Sequence, residues 1–351
     1  MNAQAPGPAR TIPEISGARF RLLRSDEASN PDAALELVVV AEPAGDSSAA
    51  ALERLLAEQR DSLLEVMRDH GNILFRGFEV EPHAFEALVA SSFEADRFLW
   101  MFPMAPRWAR ALLDLPIIGR ITRAFLGWIE SAATGRAIVG EKQSTLADDQ
   151  TIQFPHHEYG IFFNVPRVLA FFCEKEAEHQ GETLLCDARA GYAAMPEPLK
   201  AHFEATEYIR YRSENQWYLP PFTAPAVLYH PMDGHPSMNF TAYQHDIFAR
   251  VATDWFPDHD ITATSQDETF SFVPTFHQQG QTSQGLTEDQ IVALAESHLR
   301  HSVLLRWQKG DLLLMDNFRV VHGRLNAGMP ERKVLQIVLC DYVRNTNHFT
   351  V

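Results

Sequence analysis

The apolar residues of this chain change period part-way along. Over 49–70, Leu52, Leu55, Leu56, Leu63, Val66 and Met67 recur at helical spacing with charged residues between them, and Gly71 offers a stop. One amphipathic helix is predicted there. Ile73-Leu74-Phe75-Arg76-Gly77-Phe78 reads as a short buried strand ending in a turn, and a further helix is expected over roughly 83–92, behind Pro82. From Ile152 onward strands dominate. The runs 168–173 and 183–186 are apolar, with a charged, hairpin-like connection ending at Gly181. A turn around 229–236 precedes Ser237-Met238-Asn239-Phe240. Further strands are predicted over 303–307, 312–315 and 334–339, the first two separated by the tight turn Gln308-Lys309-Gly310-Asp311. Thr287 with Gln290 forms a capping box ahead of a helix striped by Ile291, Leu294 and His298 or Leu299. The polar stretch 277–285 is expected to be a mobile surface loop.

No repeat, low-complexity block or Pro/Gly/Ser-rich linker divides the sequence. The reading is a flexible tail over 1–15 and a single domain over 16–351, mainly β with flanking helices (α+β), on a double-stranded β-helix or jelly-roll core. Residues 98–130 stand apart. They are rich in Trp, Phe, Leu, Ile and Met, are broken at Pro116, and carry Arg107, Arg110, Arg120 and Arg123 against Asp114. Two short amphipathic helices are predicted, either a satellite pair packed on the core or a lid over the active site.

Charge and cysteine usage narrow the function classes. With 46 acidic against 30 basic residues the net charge is −16, which repels nucleic acid and anionic lipid, so a nucleic-acid substrate is not expected. Within 98–130 no uncharged run approaches the roughly 20 residues of a membrane span. Cys173, Cys186 and Cys340 are odd in number and sit in separate apolar runs, as reduced core thiols do. With no basic-then-apolar leader, a cytoplasmic protein is expected.

The candidate chemistry centres on Phe154-Pro155-His156-His157-Glu158-Tyr159-Gly160. In an extended segment residues i and i+2 share a face, so His156 and Glu158 can converge while His157 looks away. A third ligand must come from elsewhere, and His322, in Asp316-Asn317-Phe318-Arg319-Val320-Val321-His322-Gly323-Arg324, is the candidate. Two imidazoles and one carboxylate with open positions make the facial triad of non-haem Fe(II) oxygenases. Ten residues past His322, Arg332 opens the final strand, where its guanidinium could grip the distal carboxylate of 2-oxoglutarate through two parallel bonds. Lys333 stands in reserve if the register slips by one. The same three ligands would also serve a zinc hydrolase, and a non-catalytic binding module is a third reading. Trp217, in Asn215-Gln216-Trp217-Tyr218, either lines a pocket or belongs to the core.

Taken together, Leu74-Phe75-Arg76-Gly77-Phe78, His156-His157-Glu158, Gly181-Glu182-Thr183, Trp307-Gln308-Lys309-Gly310-Asp311, Asp316-Asn317 and His322-Gly323-Arg324 with Arg332 resemble the TauD/TfdA family of Fe(II)/2-oxoglutarate-dependent dioxygenases, most closely its SyrP-like branch. The similarity runs from about Gly71 to the C-terminus. It implies that His156, Glu158 and His322 ligate Fe(II), that Arg332 pairs with 2-oxoglutarate, and that Thr183 adds a hydroxyl bond to it. Asn239 falls where the family has residues near substrate, and Arg324 either contacts substrate or braces the His322 loop. The expected reaction consumes 2-oxoglutarate and O2 and hydroxylates an amino acid or related small molecule, free or tethered to a carrier protein. Desaturation, epoxidation and cyclisation are open variants. The enlarged segment 98–130 and the wording of 277–285 depart from the family pattern, in regions that bear on substrate choice.

Overall fold

The computed structural model describes residues 12–94, 142–143, 152–160, 164–213, 222–240, 245–261, 272–325 and 333–344. The segment 98–130, Trp217 and Arg332 lie outside them. In chain order the strands are β1 (Ala18–Leu22), β2 (Val38–Pro43), β3 (Asn72–Phe75), β4 (Lys142–Gln143), β5 (Gln153–His156), β6 (Asn164–Lys175), β7 (Thr183–Asp187), β8 (Tyr208–Ser213), β9 (Phe222–Ala224), β10 (Val227–Tyr229), β11 (Pro236–Met238), β12 (Phe272–Gln278), β13 (Gln281–Gln284), β14 (Ser302–Leu305), β15 (Leu312–Asp316), β16 (Val320–Arg324) and β17 (Lys333–Arg344). The helices are α1 (Ala49–Glu58), α2 (Arg60–His70), α3 (Phe85–Ala90), α4 (Ala188–Ala194), α5 (Glu197–Ala205), α6 (His245–Trp255) and α7 (Glu288–Leu299).

A larger sheet in the order β1-β2-β3-β15-β6-β17-β4 faces a smaller one in the order β14-β7-β16-β5. Alternation along each strand builds both the centre and the two outer layers. Leu169, Phe171 and Cys173 of β6 and Leu313 and Met315 of β15 meet Leu185 of β7, Leu305 of β14 and Val320 of β16 between the sheets. Their sequence neighbours Val168, Ala170, Phe172, Leu312 and Leu314 face outward onto α1, α2 and α3. Leu184, Cys186, Leu304 and Val321 face outward from the smaller sheet onto α4, α6 and α7. This is the mainly β, helix-flanked jelly roll expected from the pattern. A further sheet, β13-β12-β8-β9, and the β10–β11 hairpin complete the described strands.

Four expectations change in detail. The helix over 49–70 is two helices, interrupted at Gln59 (φ −110°, ψ 14°). Both turn their apolar residues to the same layer, so periodicity alone cannot show the break. The stretch 277–285 is the β12–β13 hairpin rather than a loop, its turn residues Gln279 and Gly280 both at positive φ as a type I′ turn requires. The connection after β6 is not a hairpin, because β6 and β7 lie in different sheets. The turn at 308–311 likewise carries the chain from β14 in one sheet to β15 in the other.

That turn is anchored by a buried ion pair. Arg76 donates from Nε to Asp311 Oδ1 (2.9 Å) and from Nη2 to Asp311 Oδ2 (2.6 Å), while Nη1 reaches Glu27 Oε1 (2.8 Å) and Nη2 the Arg306 carbonyl (3.1 Å). The Gln308 N–H also donates to Asp311 Oδ2 (2.7 Å). Two of the motif segments, 74–78 and 307–311, thus form one structural joint.

Candidate metal centre

β5 and β16 run antiparallel with His156 directly opposite His322. Gly323 permits the close approach, since a Cβ there would lie 2.6 Å from the Gln153 carbonyl oxygen. The two imidazoles sit 4.7 Å apart between centroids. His156 Nδ1 donates to the Phe154 carbonyl (2.8 Å), which leaves the Nε2 lone pair free to bind. His322 is held by packing instead, its ring meeting that of Phe171 edge-on at 5.5 Å, and its Nδ1 is buried without a partner among the described residues. Burial, aided by the neighbouring His156, pushes the His322 pKa down to about 3 against the opposing pull of Glu158. The ring is therefore neutral at physiological pH.

Glu158 completes the cluster. Its Oε2 is 3.6 Å from Nε2 of His156 and 3.6 Å from Nε2 of His322, and the candidate ligand atoms of the three residues all lie within 4.8 Å of one another. Metal bonds of about 2.1 Å to nitrogen and oxygen leave ligand atoms about 3–4 Å apart. The donor set and its spacing therefore fit a divalent ion, with two imidazoles and a carboxylate directed at a common point.

The route by which Glu158 arrives differs from the strand argument. β5 ends at His156, and Glu158 lies in the turn that follows, closed by Gly160 N–H to the His157 carbonyl (3.1 Å) and by Tyr159 at φ 53°. His157 does turn away. Its Nδ1 donates to the Asn317 carbonyl and its Nε2 accepts from Ser237 Oγ (3.2 Å), while burial lowers its pKa to about 4. It is a neutral, buried brace.

Around the cluster, Thr183 is buried at the start of β7, and its Oγ1 accepts a hydrogen bond from the Trp307 indole (2.9 Å). Arg324 is buried at the end of β16, two residues beyond His322. Asn239 is buried and donates from Nδ2 to the carbonyls of Gly160 (2.8 Å) and Pro225 (2.9 Å), so its amide secures the turn that carries Glu158. Arg332 and Trp217 are outside the described residues. Sequence reasoning gave no role to Phe171, Asn317 or Asp316. Burial alone would raise the Asp316 carboxyl, but hydrogen bonding to His230 (3.0 Å), the charge of Arg167 and the Phe318 N–H hold it below its usual range. This carboxylate fixes the turn between β15 and β16 from which Asn317 projects.

The model of the family described as "Taurine catabolism dioxygenase TauD, TfdA family" matches residues 33–338. The chain belongs to that family. It is accordingly a 2-oxoglutarate-dependent dioxygenase, with Fe(II) as cofactor and 2-oxoglutarate and O2 as cosubstrates. Solved structures share the fold at low identity. PvcB, described as an Fe, alpha-ketoglutarate dependent oxygenase from an isonitrile synthetic pathway, superposes with a TM-score of 0.57 at 15% identity, over 98% of this chain and 100% of that one. A second structure, of PvcB from Pseudomonas aeruginosa, gives 0.54 at 16% identity, over 97% and 98%. AAD-2, solved with Mn(II) and N-oxalylglycine, gives 0.53 at 11% identity, over 93% and 99%. No curated protein matches the chain. Among the described residues, no helix is long and apolar enough to cross a membrane.

Proposed function

We propose that this TauD/TfdA enzyme oxidises an unactivated carbon of an amino acid or related small molecule, by hydroxylation, in specialised-metabolite synthesis. His156, Glu158 and His322 would hold the iron. Thr183 and Arg332 would grip 2-oxoglutarate. The observation that carries the reading is the convergence of the three ligand atoms within 4.8 Å, where β5 and the turn after it face β16. When bound, the iron couples decarboxylation of 2-oxoglutarate to succinate and CO2 with O2 activation, and so supplies an oxidant able to take hydrogen from a C–H bond.

The chain's own residues do the rest. The neutral imidazole of His322 presents a lone pair without first losing a proton, and the ring of His156 is oriented by its Nδ1 bond to the Phe154 carbonyl. Glu158 occupies the carboxylate position, which leaves no vacated ligand site for a halide and favours oxygen over halogen transfer. Desaturation, epoxidation and ring closure would draw on the same oxidant. The substrate class is supported by the His-x-Glu wording of the SyrP-like branch and by the isonitrile pathway in which PvcB acts. The arginines at 107, 110, 120 and 123, in a chain of net charge −16, suit docking of an acidic carrier protein that delivers a tethered substrate. Uncoupled succinate release that requires Fe(II) and O2, and disappears in His156→Ala and His322→Ala, is the expected result. A fully active His322→Ala enzyme would overturn the ligand assignment. Reversing two of the four arginines should raise KM for a carrier-bound substrate alone, and an unchanged KM removes the docking arm.

A further inference from the structure

Glu158 sits in a turn, not on a strand, and its side chain has three torsions between backbone and carboxylate. A ligand so placed must be fixed by something else. The fixing group is the Asn317 amide, which is fully buried. Its Oδ1 accepts the Glu158 N–H (2.8 Å), and its Nδ2 donates to the Glu158 carbonyl (2.8 Å) and to the Pro166 carbonyl (2.9 Å). The main chain of the same residue grips the neighbouring positions. Its N–H donates to the Arg167 carbonyl (2.7 Å), and its carbonyl accepts from His157 Nδ1. One residue therefore holds both backbone polar groups of Glu158, the side chain of His157 and two consecutive residues of β6.

We propose that Asn317 is a positioning residue for the metal centre, setting the backbone of Glu158 so that its carboxylate meets the two imidazoles. This deepens the ligand assignment above and rests on it. Only an amide fits the role. It must present one acceptor and two donors at once, whereas an isosteric carboxylate would oppose the Glu158 and Pro166 carbonyls with like partial charge. Groups that orient a metal ligand typically contribute about 10- to 100-fold in metal affinity.

The test compares buried amides of the same chemistry. Asn30 donates from Nδ2 to the Ser302 carbonyl (3.2 Å) and accepts from the Leu304 N–H (2.8 Å), spanning the chain to β14. Mn(II) affinity of the folded protein, measured by titration without 2-oxoglutarate, is expected to fall about 10- to 100-fold in Asn317→Asp and to be unchanged in Asn30→Asp. Asn317→Ala, which removes the clamp without adding charge, serves if the aspartate variant does not fold, and is expected to weaken Mn(II) in the same direction. Glu158→Ala separates the two claims. Loss of Mn(II) binding in Glu158→Ala with wild-type affinity in the folded Asn317 variant would overturn the positioning role alone. Wild-type affinity in Glu158→Ala would overturn the ligand assignment on which it rests. Equal weakening by the Asn30 and Asn317 variants would reduce Asn317 to an ordinary structural amide.

Discussion

Two polar clusters in this molecule are built around motif residues, and they use their charge differently. At the Arg76–Asp311 joint the guanidinium is directed at two carboxylates and a carbonyl, and Asp311 also takes a backbone N–H. Donors and acceptors there answer one another, so the joint stabilises the fold. At the β5–β16 end, one carboxylate oxygen of Glu158 lies 3.6 Å from the Nε2 atom of each of two imidazoles. Ligand atoms converge there on one point. A charge-matched joint holds strands together, and a convergence of this composition suits a divalent cation.

The difference can be broken from either side. The largest effect is expected at the ligand cluster. His322→Ala should reduce iron-dependent succinate release to background in a turnover assay while leaving the melting temperature of the metal-free protein unchanged. At the matched cluster the pattern inverts. Arg76→Met strands Asp311 in the interior and should cost about 3–5 kcal/mol in denaturant unfolding, with Mn(II) affinity of the folded fraction unaltered. A smaller effect is expected at Thr183→Val, which removes a hydroxyl proposed to bond 2-oxoglutarate. A rise of about tenfold in KM for that cosubstrate, with kcat nearly retained, is the expected kinetic result.

The smallest concerns Glu27, which pairs with both Arg21 and Arg76. Burial pushes its pKa up, but the Arg21 hydrogen bond, the Arg24 N–H and the two guanidinium charges outweigh it and bring the value down to about 2. A carboxyl whose folded pKa is depressed contributes stability above its unfolded value of 4.5 and loses it as pH falls toward 2. The stability gap between wild type and Glu27→Gln should therefore be constant near neutral pH and narrow across that window. A gap that does not narrow would mean that Glu27 is not held by these arginines in solution.

Much of the jelly roll was legible because its strands alternate or run fully apolar, and the Thr287–Gln290 capping box marked α7 to the residue. Part of what escaped detection lacked a local signal. The tip of the β12–β13 hairpin, 277–284, has no apolar side chain and turns through Gln-Gly, and α4 and α5 are short, whereas α6 does carry helical spacing in Ile247, Phe248, Val251 and Trp255. Pairing between distant strands, such as His156 opposite His322, is a property of the folded sheet. His156, Glu158 and His322 could be nominated from residue type and extended geometry, yet Glu158 reaches the cluster through a turn held by Asn317. Local periodicity carries no record of a side chain that bonds to backbone 159 positions away.

Iron held by the three converging side chains would chelate 2-oxoglutarate through its keto-acid end. Anaerobic addition of Fe(II) and 2-oxoglutarate, followed by visible absorption, tests it most directly, because an α-keto acid chelated to Fe(II) gives a charge-transfer band. The band is expected in the wild-type protein and is expected to be lost in His322→Ala and Glu158→Ala. A band of full intensity in either variant would contradict it.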